Sequence, residues 1–105
     1  MEQNLSFRTL KAPCGPSEYR DRKSKFLGYA YPVNTTSGAQ ELVDALWREH
    51  PGAAHICYAY RIGVRQPEIR MQDDGEPANS SAPPIFGQIE SYDLHNVLVC
   101  VVLYY

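Results

Sequence analysis

Three places in this sequence combine residue types that could do chemistry. His55 and Cys57 stand two apart, so on an extended strand their side chains share a face, where a metal pair or a thiolate–imidazole pair is geometrically open. Two ligands do not make a zinc site, however. A zinc deaminase needs a Glu two residues after its His and a later CxxC, whereas Cys57 fills the Glu position and no CxxC exists. A packed strand face is the favoured reading. Asp73, Asp74 and Glu76, around Gly75 and before Pro77, put three carboxylates into four residues. Such a run could hold a hard cation, or pair a raised-pKa acid with an ionised base. EF-hand spacing is absent and no partner base is visible, so a structural or binding loop is favoured. A small metal-dependent hydrolase using Asp73, Asp74 and Glu76 is the alternative. The third place is a basic cluster: Arg20, Arg22, Lys23 and Lys25 fall within six residues. They could grip phosphates, with the rings of Tyr19, Tyr29 and Tyr31 nearby for stacking. The bland counterpart is a solvated edge strand whose lysines deter aggregation. With Arg61, on the same strand face as His55, these residues make the candidate binding set. No catalytic residue and no metal ligand is assigned among them.

The elements that must position these groups follow from periodicity and turn chemistry. Leu5 to Leu10 alternates weakly, as a short first strand would. Cys14-Gly15-Pro16-Ser17 is turn chemistry, and Glu18 to Lys23 and Lys25 to Val33 read as strands joined tightly around Ser24. In the second, Leu27, Tyr29, Tyr31 and Val33 point one way and Phe26, Gly28 and Ala30 the other. Ser37 and Gln40 form a capping box for a helix in which Ala39, Leu42, Val43, Leu46 and Trp47 make one apolar stripe. Leu42, Leu46 and Trp47 are expected to anchor it on the sheet. His50-Pro51-Gly52 ends it, since Pro cannot continue a helix. His55 to Gly63 has period two, with Ile56, Tyr58, Tyr60 and Ile62 on one side and His55, Cys57, Ala59 and Arg61 on the other. Glu68 to Gln72 alternates again after a hairpin link. Pro83 and Pro84 suit the first turn of a short helix with Ile85, Ile89 and Tyr92 inward. Asn96 to Tyr105 is apolar on both faces, the signature of a central strand. The order β-β-β-α-β-β-α-β predicts an α/β (α+β) two-layer sandwich, a mixed sheet with two helices.

Composition sets the frame. The 105 residues suffice for one core and not for two, so residues 1–105 are read as a single domain. Hydrophobic residues are 44% and charged residues 21%, which excludes a disordered or fibrous chain. No apolar run approaches the roughly 20 residues that span a bilayer, and the N-terminus lacks a signal peptide's basic start and apolar stretch. A cytoplasmic location without membrane contact is expected. Three cysteines without a CxxC pair fit a reducing compartment. No G-x-S-x-G, P-loop, dinucleotide fingerprint or HExxH appears, so no cofactor is expected.

Five blocks together carry a resemblance. Gly15-Pro16-Ser17-Glu18-Tyr19, Lys23-Ser24-Lys25-Phe26-Leu27-Gly28-Tyr29-Ala30, His55-Ile56-Cys57-Tyr58-Ala59-Tyr60-Arg61, Asp73-Asp74-Gly75-Glu76-Pro77 and Asn96-Val97-Leu98-Val99 occur in the order and spacing of the IMPACT/YigZ family. The resemblance implies a fold like domain IV of elongation factor G and the second domain of the ribosomal protein S-five type. It implies a role in translational control. Eukaryotic members restrain an amino-acid-starvation kinase by competing for its ribosome-associated activator. The implied partners here are the ribosome, RNA or a translation-associated protein, and the family offers no catalytic residues to carry over. This chain departs from the pattern after Pro77, where Ala78-Asn79-Ser80-Ser81-Ala82-Pro83 replaces Ser-Gly-Thr-Ala-Gly-Lys and removes two glycines and a lysine. It also stops at Leu103-Tyr104-Tyr105, before the family's Gly-rich segment and the covering helix that follows it, so the domain is expected to be incomplete at its C-terminal end. A two-faced apolar strand without that cover would expose Val97, Val99, Val101 and Leu103, or the face of Leu98 and Val102. Self-association into a homo-oligomer is the expected result.

Overall fold

The computed structural model describes residues 8 to 74 and 82 to 105. Strands β1 (Cys14–Asp21) and β2 (Ser24–Pro32) form a hairpin, followed by helix α1 (Thr36–Glu49), strands β3 (His55–Ile62) and β4 (Glu68–Gln72), helix α2 (Ala82–Ser91) and strand β5 (Val97–Tyr104). The strand expected at Leu5 to Leu10 lies partly outside the described residues; its described part contributes one bridge, Arg8 to Leu94.

The five strands stand in the order β1-β2-β5-β3-β4, and the domain is α+β with two helices, as expected. Two details of that expectation change. Every ladder between the strands is antiparallel, not mixed. The crossover through α1 does make β2 and β3 run the same way, but β5 inserts between them and pairs with both. The helices also take opposite faces rather than forming two layers with the sheet. Ala39, Val43 and Leu46 of α1 pack with Leu27, Ile56, Tyr58, Leu98, Cys100 and Val102. Phe86 and Ile89 of α2 pack with Ala59 and Val97. Alternation along β5 separates the two clusters by residue parity.

The stripe on α1 is confirmed with its centre at Ala39, Val43 and Leu46, while Leu42 and Trp47 pack at its margin. The cap is Thr35, not Ser37: its Oγ1 accepts the Gly38 N–H at 2.9 Å from an extended backbone. Gln40 cannot close the expected box because its amide donates to Asp44 Oδ1 instead. Tyr92 is likewise not inward. It is 60% exposed, because α2 ends at Ser91 and Phe86 takes the inner position.

Central placement also answers the expectation about β5. Val97, Leu98, Cys100 and Val102 are fully buried and Leu103 nearly so, leaving Val99, Val101 and Tyr104 half-buried. Two neighbouring strands and two helices cover most of what was expected to meet water, which narrows the part of this strand open to self-association to the face of Val99 and Val101.

Candidate functional site

Register gathers most of the candidate residues at one end of the sheet. Lys25 pairs with Tyr104, Phe26 with Leu103, and Leu103 with His55. The β1–β2 turn, the last residues of β5 and the first of β3 therefore share an end. Arg22 and Lys23 occupy the two turn positions of the hairpin, both exposed. Arg22 has φ 58, a left-handed conformation that Gly adopts more readily. All of β1 is exposed, an edge strand carrying the cluster clear of the core. Gly15 at its base has φ 111, and a Cβ there would collide with the Gly28 carbonyl oxygen, so the hairpin's close approach requires glycine.

The four cations are not equivalent. Arg20 is ion-paired with Glu18 across the same exposed strand. Lys25 Nζ sits 4.6 Å from the Tyr104 ring centroid, a cation–π arrangement. The Tyr104 hydroxyl lies 2.6 Å from His50 Nδ1, and His50 Nε2 lies 2.9 Å from the Tyr29 hydroxyl. The two ring nitrogens bond one tyrosine hydroxyl each, fixing the end of α1 to β2 and β5. His50 reads in the sequence only as a helix stop; its partners are 21 and 54 residues away, beyond any local pattern. Of the tyrosines named for stacking, Tyr29 and Tyr31 pack against the core on the α1 face. Burial, first among the causes, pushes the Tyr31 hydroxyl up to about 12. Tyr19 alone of the three is freely presented, 65% exposed on the opposite face beside Phe26.

The acidic run meets the start of β3. The ladder with β4 ends at Tyr58 and Gln72, and Asp73 and Asp74 continue past it. Asp74 Oδ2 accepts the Ile56 N–H at 2.9 Å, and its carbonyl oxygen accepts from His55 Nδ1 at 2.6 Å. The Cys57 thiol donates to the Asp73 carbonyl at 3.1 Å. These bonds stand in for the ladder partners that the short β4 does not supply. His55 and Cys57 are thus held by the loop's carbonyls, and Cys57 is fully buried. The hydrolase reading needed three carboxylates together; Glu76 lies outside the described residues, and among those described no three His, Cys, Asp or Glu side chains gather as a metal site would require.

Arg61 is not part of this end. It faces Val97 at the far end of β3, where its guanidinium bonds Asp93 Oδ1 at 3.2 Å and His95 Nε2. His95 Nδ1 donates to the Gly63 carbonyl at 2.8 Å, which leaves Nε2 to accept from Arg61. Neither Asp93 nor His95 carried a sequence signal, since both act through contacts some 30 residues distant along the chain.

Comparison with known proteins agrees with this architecture. The chain is 30% identical to the IMPACT family member YvyE of Bacillus subtilis over 95% of its own length and 46% of the relative's. It is 29% identical to the IMPACT family member YigZ of Escherichia coli over 80% of its length and 42% of that protein. The chain therefore spans about half the length of the curated relatives it matches. The crystal structure of a hypothetical protein superposes with a TM-score of 0.92 at 27% identity, over 98% of this chain and 50% of the other. The two-domain translational regulator Yih1 superposes with a TM-score of 0.71 at 23% identity, covering 100% of this chain and 42% of the regulator, a likeness of fold. The model of the Impact N-terminal domain matches residues 22–105, from the turn of the basic hairpin to the last residue of the chain, and the chain belongs to that family.

Proposed function

We propose that this chain is a regulatory binding domain of translational control, acting in the cytoplasm on the ribosome, RNA or a translation-associated protein through its cationic hairpin end. Membership of the Impact family and the likeness in fold to a translational regulator support the setting. One observation carries the contact surface. Arg22 and Lys23 fill a two-residue turn at the tip of an exposed edge hairpin, on a chain whose net charge is −2. A cationic projection on a mildly acidic body directs polyanions to one place. Phosphate contacts release counterions, so association should weaken steeply as salt rises.

Co-sedimentation with ribosomes at low and high salt tests the reading. The wild type should pellet with ribosomes at low salt and dissociate at high salt. Replacing Arg20, Arg22, Lys23 and Lys25 together with Ser should abolish the low-salt association and shift stability by no more than about 0.5 kcal/mol per exposed site. Unchanged association in that variant would remove the hairpin from the interface.

A further inference from the structure

Among the described residues, the sheet face carrying α2 is only half covered. Phe86 and Ile89 occupy the end near Val97 and Ala59, while Phe26, Gly28, Ala30, Val99 and Val101 remain half-buried towards the hairpin. There the strands bring Tyr19, Phe26, Leu103 and His55 into one row across four neighbours, by the pairings Tyr19–Phe26, Phe26–Leu103 and Leu103–His55. The Tyr19 and Phe26 rings lie 5.8 Å apart. Beside them runs an apolar groove of about 220 Å³ bordered by Cys14, Gly15, Ser17, Gly28, Ala30 and Val99. Gly28 forms part of its floor without a side chain, so a flat group can approach the backbone. The groove is smaller than the roughly 300–1,000 Å³ of a drug-sized site, and fits a single ring system.

We propose that this face binds single-stranded RNA, with bases stacked on Tyr19 and Phe26 and seated over Gly28, and with flanking phosphates held by Arg22 and Lys23. The inference rests on the reading that the hairpin end meets an anionic partner, and it names that partner's chemistry. Lys23 is three residues from Phe26, about 10 Å at the ~3.3 Å rise of a strand, so rings and cations serve one ligand. Aromatic rings on a sheet face beside cations suit splayed bases, whose π-faces stack without regard to sequence. A duplex keeps its bases paired and offers only phosphates to the tip. An acidic protein segment would satisfy the cations but gives the rings no such requirement.

Fluorescence anisotropy with a labelled single strand of about 12 nucleotides, alone and annealed to its complement, separates the cases. The wild type should bind the single strand more tightly than the duplex. Tyr19→Ala should weaken single-strand binding about 5- to 150-fold, the range for losing one stacked base, while Tyr19→Phe retains it and duplex binding does not change. Tyr19 is exposed, so the alanine variant should fold, and an unchanged thermal midpoint checks this. Arg22→Ser with Lys23→Ser should weaken both RNAs. Equal affinity for single strand and duplex, with Tyr19→Ala silent and the charge variant impaired, overturns stacking and leaves the charged contact standing. A charge variant that binds like the wild type overturns the underlying reading. Ribosome association without affinity for either RNA also overturns the RNA assignment and turns the surface towards a protein.

Discussion

The two ends of the sheet use arginine in opposite ways. At the Asn96 end, Arg61 is 15% exposed and its donors are committed to Asp93 and to the imidazole of His95, which in turn is committed to the Gly63 carbonyl. Asn96 completes that end, accepting the Gly63 N–H through its side chain at 2.9 Å. At the hairpin end, Arg22 and Lys23 sit on a turn in water with their charge turned outward. Arg61 belongs to one of the family's sequence blocks and Lys23 to another, so membership of a block does not tell the two ends apart. Commitment does. A guanidinium whose hydrogen bonds close a part-buried network is spent on structure, whereas an exposed cation can exchange its water for a phosphate.

The contrast can be broken from the middle outward. Leu46 is 1% exposed in the core that α1 shares with the sheet. Leu46→Ala should cost about 2–5 kcal/mol in urea denaturation, the range for a cavity left in a packed core. A loss near that of a surface substitution, about 0.5 kcal/mol, would mean that α1 does not hold the sheet.

Arg61→Ala should cost about 1–3 kcal/mol, because it strips the donor from His95, which is only 7% exposed. Lys23→Ser at the other end should stay within about 0.5 kcal/mol. If the two variants proved equally stable while Arg61→Ala lost ribosome or RNA association, the assignment of the two ends would be reversed.

A further effect is absent at neutral pH and appears only in alkali. Burial pushes the Cys100 thiol from 9.0 up to about 12. Tyr31, raised by burial and then by Cys100, Tyr29 and Glu49, also reaches about 12. Both groups hold their protons longer folded than unfolded. Their contribution is complete below pH 9 and is lost as pH rises towards 12, because there the unfolded chain binds fewer protons. Urea midpoints should fall over that window, and Tyr31→Phe should flatten the part above pH 10.0. A midpoint that holds steady to pH 12 would place both groups in water.

Local pattern was legible wherever one side of an element faces the core. Leu27, Tyr29, Tyr31 and Val33 do share a face, as do Ile56, Tyr58, Tyr60 and Ile62, because a strand's period of two is written directly into the order of its residues. The helix stripe centred on Ala39, Val43 and Leu46 was readable for the same reason at period 3.6. The basic hairpin was legible too, since its density is local, although its turn falls at Arg22 and Lys23 and not at Ser24, which opens β2 opposite Asp21. What failed depended on competition or on distance. Thr35 and Ser37 are both good caps, and only the backbone angles select between them. Tyr92 is in helical phase with Ile89, yet the helix stops one residue before it.

The sequence by itself determined most of the elements, the buried faces of β2, α1 and β3 and the residues that belong to the family's blocks, because these follow from short-range periodicity and side-chain chemistry. Only the tertiary structure decided that β5 inserts between β2 and β3. That insertion makes the sheet antiparallel, buries most of the strand expected to drive self-association, and brings Lys25, His50, His55 and Asp74 to one end while sending Arg61 to the other. The physical reason is that strand order is set by which pairing buries the most two-faced apolar strand. Val97 to Tyr104 gains most at the centre, and that choice compares contacts across the whole chain at once.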